Sequence, residues 1–447
     1  MNIEMDLYNS SEIIIKAMRP FGRFIEELGF LGTPYSTAIE MAAKKFPECK
    51  TFFKIHPKNG IQIKNEYLFA DYKINEIKLS NSKTRKEWIL PYSLKNKKLV
   101  DAVVAMNLGN PQSLSQIESL PAELKSKFLS FLNVETSTKS LIENANPKKY
   151  SRPGIYRFQH ACCMIRTKKA GVLIDPTFQW VRPDFETQLF KARDIVPNVD
   201  AIMLTHAHCD HFHVGTLMHF PKDMPILVPE KKPSSLASPC MPSLLKSLGF
   251  TNVMPLPWNS EFKVKDINIK VLSYYGEQVT ATEKIYKGLY NWGNTYLIQT
   301  PNGNIWPLAD TGQDLQGSMV QVAEQLKAEG AKIHGILGGM RECEMRSAWA
   351  VGGLRRWLCM SPKQRLGIYH KNGVQGEANA LGLKGVIAVI DQLRPDWFLP
   401  YNHGFFKLGD VKPFEKTNVK NLKKELKKRK ITTKVYTWTI GDYLSLP

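Results

Sequence analysis

The apolar positions of the chain change rhythm near residue 150. Ahead of it, short helical patterns mix with strand-like pieces. In 12–28, Ile13, Ile14, Ala17, Phe24 and Ile25 recur at helical spacing, and Pro20 should kink or split that helix. A second helix is expected over 121–132, with Pro121 at a plausible first helical position. The polar stretch 143–153 reads as a linker. Beyond it come short apolar runs at 155–158, 162–166, 172–174, 201–205, 226–228, 267–273, 295–299, 305–308, 333–337 and 397–399. Helical patterns at 319–329, 345–359 and 378–393 separate the later ones. Strand pairs first and strand–helix alternation later predict an α+β protein with two sheets sandwiched by helices. Near the C-terminus, Val419, Leu422 and Leu426 mark an amphipathic helix with Lys423, Lys424, Lys427 and Lys428 off its apolar face.

Composition narrows the class. A chain of 447 residues suits two or three domains, and the change of texture divides it into 1–150 and 151–447. With 43% hydrophobic and 23% charged residues it has ample material for a core. No apolar run approaches the roughly 20 residues of a membrane helix. The acidic N-terminus has no basic stretch followed by an apolar one, as a secretory signal would. The 7 cysteines are irregularly spaced, with only Cys162 and Cys163 adjacent, which is no disulfide framework and fits a reducing cytoplasm.

The net charge of +20 invites a nucleic-acid reading, which its distribution weakens. Residues 1–150 carry only +6, and the short stretch 407–434 carries +8. There is no Arg-rich arm and no interleaving of aromatic and basic residues. Two readings of the charge remain, a solvated Lys-rich face and a docking surface for an acidic macromolecule.

The stretch that carries chemistry is Thr205-His206-Ala207-His208-Cys209-Asp210-His211-Phe212-His213, directly after an apolar run. Four of the 10 histidines fall within eight positions. Imidazoles and a carboxylate packed this densely at a strand end suit a metal ion. The segment resembles the metal-binding signature of the metallo-β-lactamase superfamily, and further pieces agree with that family in order. They are Leu173-Ile174-Asp175-Pro176, then Pro307-Leu308-Ala309-Asp310-Thr311-Gly312, and last Leu399-Pro400-Tyr401-Asn402-His403-Gly404. The resemblance covers about residues 151–447. It implies an αββα sandwich with a two-metal site at one edge, preceded by a mixed α/β accessory domain for dimerisation or partner docking. In it, Asp310 supplies the bridging carboxylate and His403 the last histidine.

One departure is informative. Hydrolases of the family place a third histidine on the strand end between the His-rich motif and the bridging Asp. Here no histidine occurs between His219 and His334, and Glu277 is the nearest ligand-capable residue at that strand end. A hard anionic oxygen moves the set toward iron or manganese and away from an imidazole-rich zinc site. With Glu277 in that slot the chain resembles the diiron β-hydroxylases of nonribosomal peptide and antibiotic biosynthesis, chloramphenicol's among them. The resemblance implies His206, His208, Glu277 and Asp310 on a first iron and Asp210, His211, Asp310 and His403 on a second. It also implies O2 and an external electron donor, an electron-transfer partner, and an aminoacyl substrate carried by an acidic peptidyl carrier protein. The competing reading is a dinuclear zinc or manganese hydrolase acting on a phosphodiester, lactone or thioester.

Other residues stand out less. Asp175 would either orient a ligand histidine or fill a strand-end turn. His160 reads as a structural residue or one that supports a ligand, Cys209 as a buried thiol off the metal side, and His213 as a surface helix residue. Arg341, Glu342 and Glu344 would line a pocket or cap a helix, and His370 sits in a Gly-flanked loop. Nothing in 1–150 carries a chemical motif.

Overall fold

The computed structural model describes residues 3–9, 11–56, 60–64, 67, 69–81, 84–110, 113–132, 147–178, 190–230, 235, 238–278, 290–341, 380–401 and 413–446. The expected sandwich is present. One seven-stranded sheet runs in the order Val253–Leu256, Ile226–Pro229, Ala201–Met203, Gly171–Ile174, Cys163–Arg166, Gly154–Arg157, Tyr443–Leu444. A second runs Glu261–Val264, Ile267–Leu272, Thr295–Thr300, Gly303–Pro307, Gly335–Gly338, Trp397–Pro400, Lys434–Val435.

Strand alternation builds the layers. Successive side chains of a strand point to opposite faces. Val172, Ile174, Ala201 and Met203 therefore face inward and meet Ile269, Val271, Ile298, Ile305, Leu337 and Leu399 of the other sheet. Their neighbours Leu173 and Ile202 face the outer side of the first sheet. Leu297, Trp306, Ile336 and Phe398 face the outer side of the second. There the helices Met319–Ala328, Gly382–Leu393 and Pro413–Lys428 cover them with Val322, Leu326, Val386, Ile390, Leu422 and Leu426.

The outer face of the first sheet is covered in large part by residues ahead of 150. These form a three-stranded antiparallel sheet, with Ile74–Asn81 between Ile3–Asn9 and Lys86–Pro91, and helices that include Leu94–Asn107 and Ala122–Leu132. Ile3, Leu7, Ile77, Leu99, Val103 and Phe128 belong to the same apolar cluster as Phe158, Met164, Leu173, Ile202 and Phe212. The apolar contact thus runs unbroken across the change of texture at residue 150.

Three sequence expectations need comment. Pro20 does not split its helix, which runs through Ser11–Phe30. Pro20 is exposed, so water can reach the turn whose hydrogen bond it removes. The linker expected at 143–153 lies partly outside the described residues, as does the whole helix expected at 345–359. Among the described residues no helix is long and apolar enough to cross a membrane.

Candidate metal centre

The strand Ala201–Met203 ends at the His-rich loop, at the edge of the sandwich where the neighbouring strand Gly171–Ile174 delivers Asp175. Asp175 is fully buried, with a left-handed backbone at φ +43°. Its Oδ1 accepts the Thr205 N–H at 2.8 Å. Its Oδ2 accepts the Thr205 hydroxyl at 2.7 Å and lies 2.7 Å from His211 Nδ1. The two roles weighed for Asp175 are thus both filled, since it forms the turn and orients a histidine. Because the Thr205 hydroxyl gives its proton to Asp175, it accepts the Nδ1–H of His206 at 3.0 Å. Both His206 and His211 are thereby held with Nε2 turned to the centre, the orientation a ligand needs.

Around that centre the remaining groups converge. His206 Nε2 lies 2.9 Å from His208 Nδ1, and His211 Nε2 lies 3.1 Å from Asp310 Oδ2. Glu277 Oε2 lies 3.4 Å from His208 Nδ1. Asn291 Nδ2 ties these together, 3.3 Å from His208 Nε2 and 3.2 Å from the Glu277 carbonyl. Three triads each bring one ligand atom per residue within 4.8 Å: His206, His211 and Asp310; His208, Glu277 and Asp310; and His160, Asp210 and His211. His211 and Asp310 each belong to two of them, and of the two only the carboxylate has two oxygens with which to serve as a shared ligand.

The backbone at this edge is bent into an uncommon conformation. His160, Asp175, Glu277 and Ala309 have φ of +51°, +43°, +51° and +50°. Left-handed backbone costs a non-glycine residue about 1–2 kcal/mol, and such strain concentrates at functional sites. Gly293 is needed for close approach: it bridges His206 across the sheet edge, and a Cβ there would lie 2.5 Å from the Tyr274 ring. That ring in turn lies on His206, with centroids 5.2 Å apart.

Charge at the centre is tightly matched. Burial alone would lower the basicity of the His211 imidazole, but Asp310 and Asp175 on either side raise it well above the ordinary range. Burial would raise the Asp310 carboxyl, and His211 overcomes this and brings it to about 2. Asp210 likewise is held well below the carboxylate range, against burial, by the hydrogen bond and charge of His160 with help from His211 and His208. The acidic side chains favour a concentrated positive charge here, which a metal ion supplies.

Of the seven residues expected to bind metal, six lie together: His206, His208, Asp210, His211, Glu277 and Asp310. His403 lies outside the described residues. His160 is closer to the centre than the sequence suggested. It is buried, with Nε2 3.2 Å from Asp210 Oδ2 and its ring 4.9 Å from that of His211. It stands far ahead of His206 in the chain, and no local spacing connects the two. His213 corrects the expectation of a surface position: it is 7% exposed and accepts the Thr216 N–H as the N-cap of Val214–Leu217. Cys209 is half-buried and Arg341 exposed. Glu342, Glu344 and His370 fall outside the described residues.

Residues 171–329 match the family described as "Beta-lactamase superfamily domain". A 264-residue stretch, 58% of this chain, is 26% identical to 47% of the 4-amino-L-phenylalanyl-[CmlP-peptidyl-carrier-protein] 3-hydroxylase of Streptomyces venezuelae. A UPF0173 protein of Pyrococcus abyssi is 27% identical over 124 residues, 28% of this chain and 49% of that one. The chain thus matches about half the length of either curated relative. The solved structure of CmlA, a diiron β-hydroxylase from Streptomyces venezuelae, superimposes with a TM-score of 0.57 at 14% identity, over 100% of this chain and 98% of that one. Residues 171–329 thus resemble a β-lactamase-superfamily domain, and the chain has the metallo-β-lactamase fold.

Proposed function

We propose that the chain is an O2-dependent diiron monooxygenase that hydroxylates the β-carbon of an aminoacyl group, held as a thioester on a peptidyl carrier protein. The observation that carries this reading is the Glu277 carboxylate, grouped with His208 and Asp310 in the slot where hydrolases of the fold place a third histidine. The name of the Streptomyces hydroxylase and the diiron description of the superimposed structure support it. His206, His208, Glu277 and Asp310 would hold one iron, and Asp210, His211, Asp310 and His403 the other. The donors fit, because a mixed set of imidazole and carboxylate suits iron better than an imidazole-only set does.

Bound iron would supply the reductive activation of dioxygen that hydroxylation of a C–H bond needs. In the overall reaction one oxygen atom enters the C–H bond as hydroxyl and the other leaves as water. Two electrons and two protons come from an external donor, hence the need for an electron-transfer partner. The protein's own part is positioning. Asp175 and Thr205 fix both imidazole tautomers, and Glu277 and Asp310 add negative charge that would favour a higher oxidation state of bound iron. Residues 1–150 act as the accessory part.

Metal analysis tests the reading. Protein purified from iron-supplied cells should carry about two irons per chain and little zinc. Stoichiometric zinc, with activity confined to the zinc form, would instead establish the hydrolase.

A further inference from the structure

The metal-binding loop is gripped from outside its own domain. Tyr72, in the short helical turn Ala70–Tyr72, is 1% exposed. Its hydroxyl donates a hydrogen bond to the carbonyl of Ala207, the residue between His206 and His208. Its ring lies on that of Phe212, with centroids 5.7 Å apart, and Phe212 directly follows His211. Just beyond Phe212, the helix Val214–Leu217 packs on the first strand of the chain, Ile3–Asn9. The approach is close enough that a Cβ on Gly215 would stand 3.3 Å from the Leu7 carbonyl oxygen. Residues ahead of 150 therefore hold the loop at Ala207, at Phe212 and at Gly215, and His208, Asp210 and His211 lie between the first two of those points.

Each contact has a consequence for the histidines. Sheet-type bonds run on past the strand, from the Leu204 N–H to the Leu227 carbonyl and from the Asn294 N–H to the Thr205 carbonyl, and the Ala207 carbonyl lies beyond them. The Tyr72 hydroxyl gives this buried carbonyl a partner and so fixes the peptide plane between Ala207 and His208. That plane sets the direction in which the His208 side chain leaves the backbone. The ring contact with Phe212 does the same for the backbone after His211.

We infer that Tyr72 is a positioning residue for the metal ligands, and that residues 1–150 clamp the metal loop in its binding geometry. The inference rests on the proposed two-metal site. It gives the accessory region a specific role, because the metal-binding power of the catalytic domain then depends on a hydroxyl that another part of the chain supplies.

The test uses the full chain, stripped with chelator and titrated with Co(II), whose visible bands report ligand geometry. Tyr72→Phe removes one oxygen atom and keeps the ring on Phe212. Partners that orient metal ligands change affinity by about 10–100-fold when removed. Tyr72→Phe should therefore bind Co(II) about tenfold more weakly, with altered bands, and Tyr72→Ala more weakly still. Tyr150→Phe, at a tyrosine 5% exposed whose ring packs on Tyr156 and Phe158, serves as control and should match wild type. A purely structural Tyr72 would lower the melting point of the metal-free protein and leave Co(II) affinity and bands as in wild type. That result with Tyr72→Phe would overturn the inference, even if Tyr72→Ala fails to fold. Failure of the two-metal reading looks different. In that case wild-type Co(II) binding would be absent or would survive His206→Ala and Asp310→Ala.

Discussion

Glu277 combines two demands that pull in opposite directions. Its backbone is left-handed at φ +51°, which any residue but glycine, asparagine or aspartate adopts at a cost, and its carboxylate is 4% exposed beside His208. A residue kept there for stability alone would be glycine. This gives a test that separates ligand from scaffold. Glu277→Ala should deplete the first metal position and abolish turnover with the fold intact, and metal content should fall from about two per chain toward one. Glu277→Gly should lose the same metal, yet melt about as high as wild type or higher in the metal-free form, since strain of order 1 kcal/mol is relieved. Glu277→His should draw zinc into the site. Full activity in Glu277→Ala would show that another group fills the slot. At this scale the sequence was most legible where ligands are contiguous, as in His206 to His211. It was least legible for His160 and Tyr72. Each reaches the loop from a distant part of the chain, and no spacing rule reports such a contact.

Among elements, the helix Pro413–Lys428 shows how far periodicity carries. Val419, Leu422 and Leu426 are 5%, 0% and 2% exposed against the second sheet's outer layer, while Lys416, Lys420, Lys423, Lys424, Lys427 and Lys428 face solvent. The apolar stripe was legible because burial sets it; the use of the opposite face was not. The N-terminal end of the helix is fixed by Glu415, whose buried carboxylate meets both Arg157 Nη1 at 3.1 Å and Nη2 at 3.2 Å. The ten apolar runs expected after residue 150 match strands within one or two residues for the same reason as the stripe. The partly exposed edge strands Val253–Leu256, Glu261–Val264, Lys434–Val435 and Tyr443–Leu444 were not legible, because burial leaves little pattern on them. Ahead of residue 150 apolar runs are short and helical and strand periods mix, so the three-stranded sheet was not assignable. If the Lys-rich face receives an acidic carrier protein, reversing Lys423, Lys424, Lys427 and Lys428 to Glu should slow turnover of the tethered substrate. High salt should slow the wild type in the same way. Reversal at Lys427 and Lys428 opposes the helix dipole and should destabilise by about 0.3–1 kcal/mol each. Iron content should not change, because the apolar stripe holds the helix. Turnover insensitive to these charges and to salt would remove the carrier docking from this face.

At the scale of the whole molecule, the seam between residues 1–150 and the sandwich buries groups that prefer to be charged in water. Lys222 sits there, 3.2 Å from Met218 Sδ and 4.2 Å from the centre of the Phe250 ring, with Asp101 of the helix Leu94–Asn107 at 4.0 Å. Burial lowers its pKa from 10.5 to about 8, with Asp101 opposing and Lys97 adding to the effect. His219, 7% exposed, falls from 6.5 to about 4 through burial and then the charge of Lys222. The sign follows from proton counts. Between pH 6.5 and about 4 the unfolded chain protonates His219 and the folded one does not, so stability falls as pH falls through that window. Between about 8 and 10.5 the unfolded chain keeps the Lys222 proton that the folded one releases, so stability rises as pH rises. For the buried His219 the acid loss is of order 3 kcal/mol in full. Chelator-treated protein isolates these groups from metal release, which also follows acid. His213, lowered by burial to about 3, adds to the acid limb, and the raised His211 opposes any climb above pH 6.5. The comparison of melting points with those of variants therefore carries the test. His219→Gln should make the acid limb shallower without abolishing it, and Lys222→Met should melt higher than wild type at pH 7 and lose the gain between about 8 and 10.5. An acid limb as steep in His219→Gln as in the wild type would place the sensitivity at groups other than His219, His213 first among them.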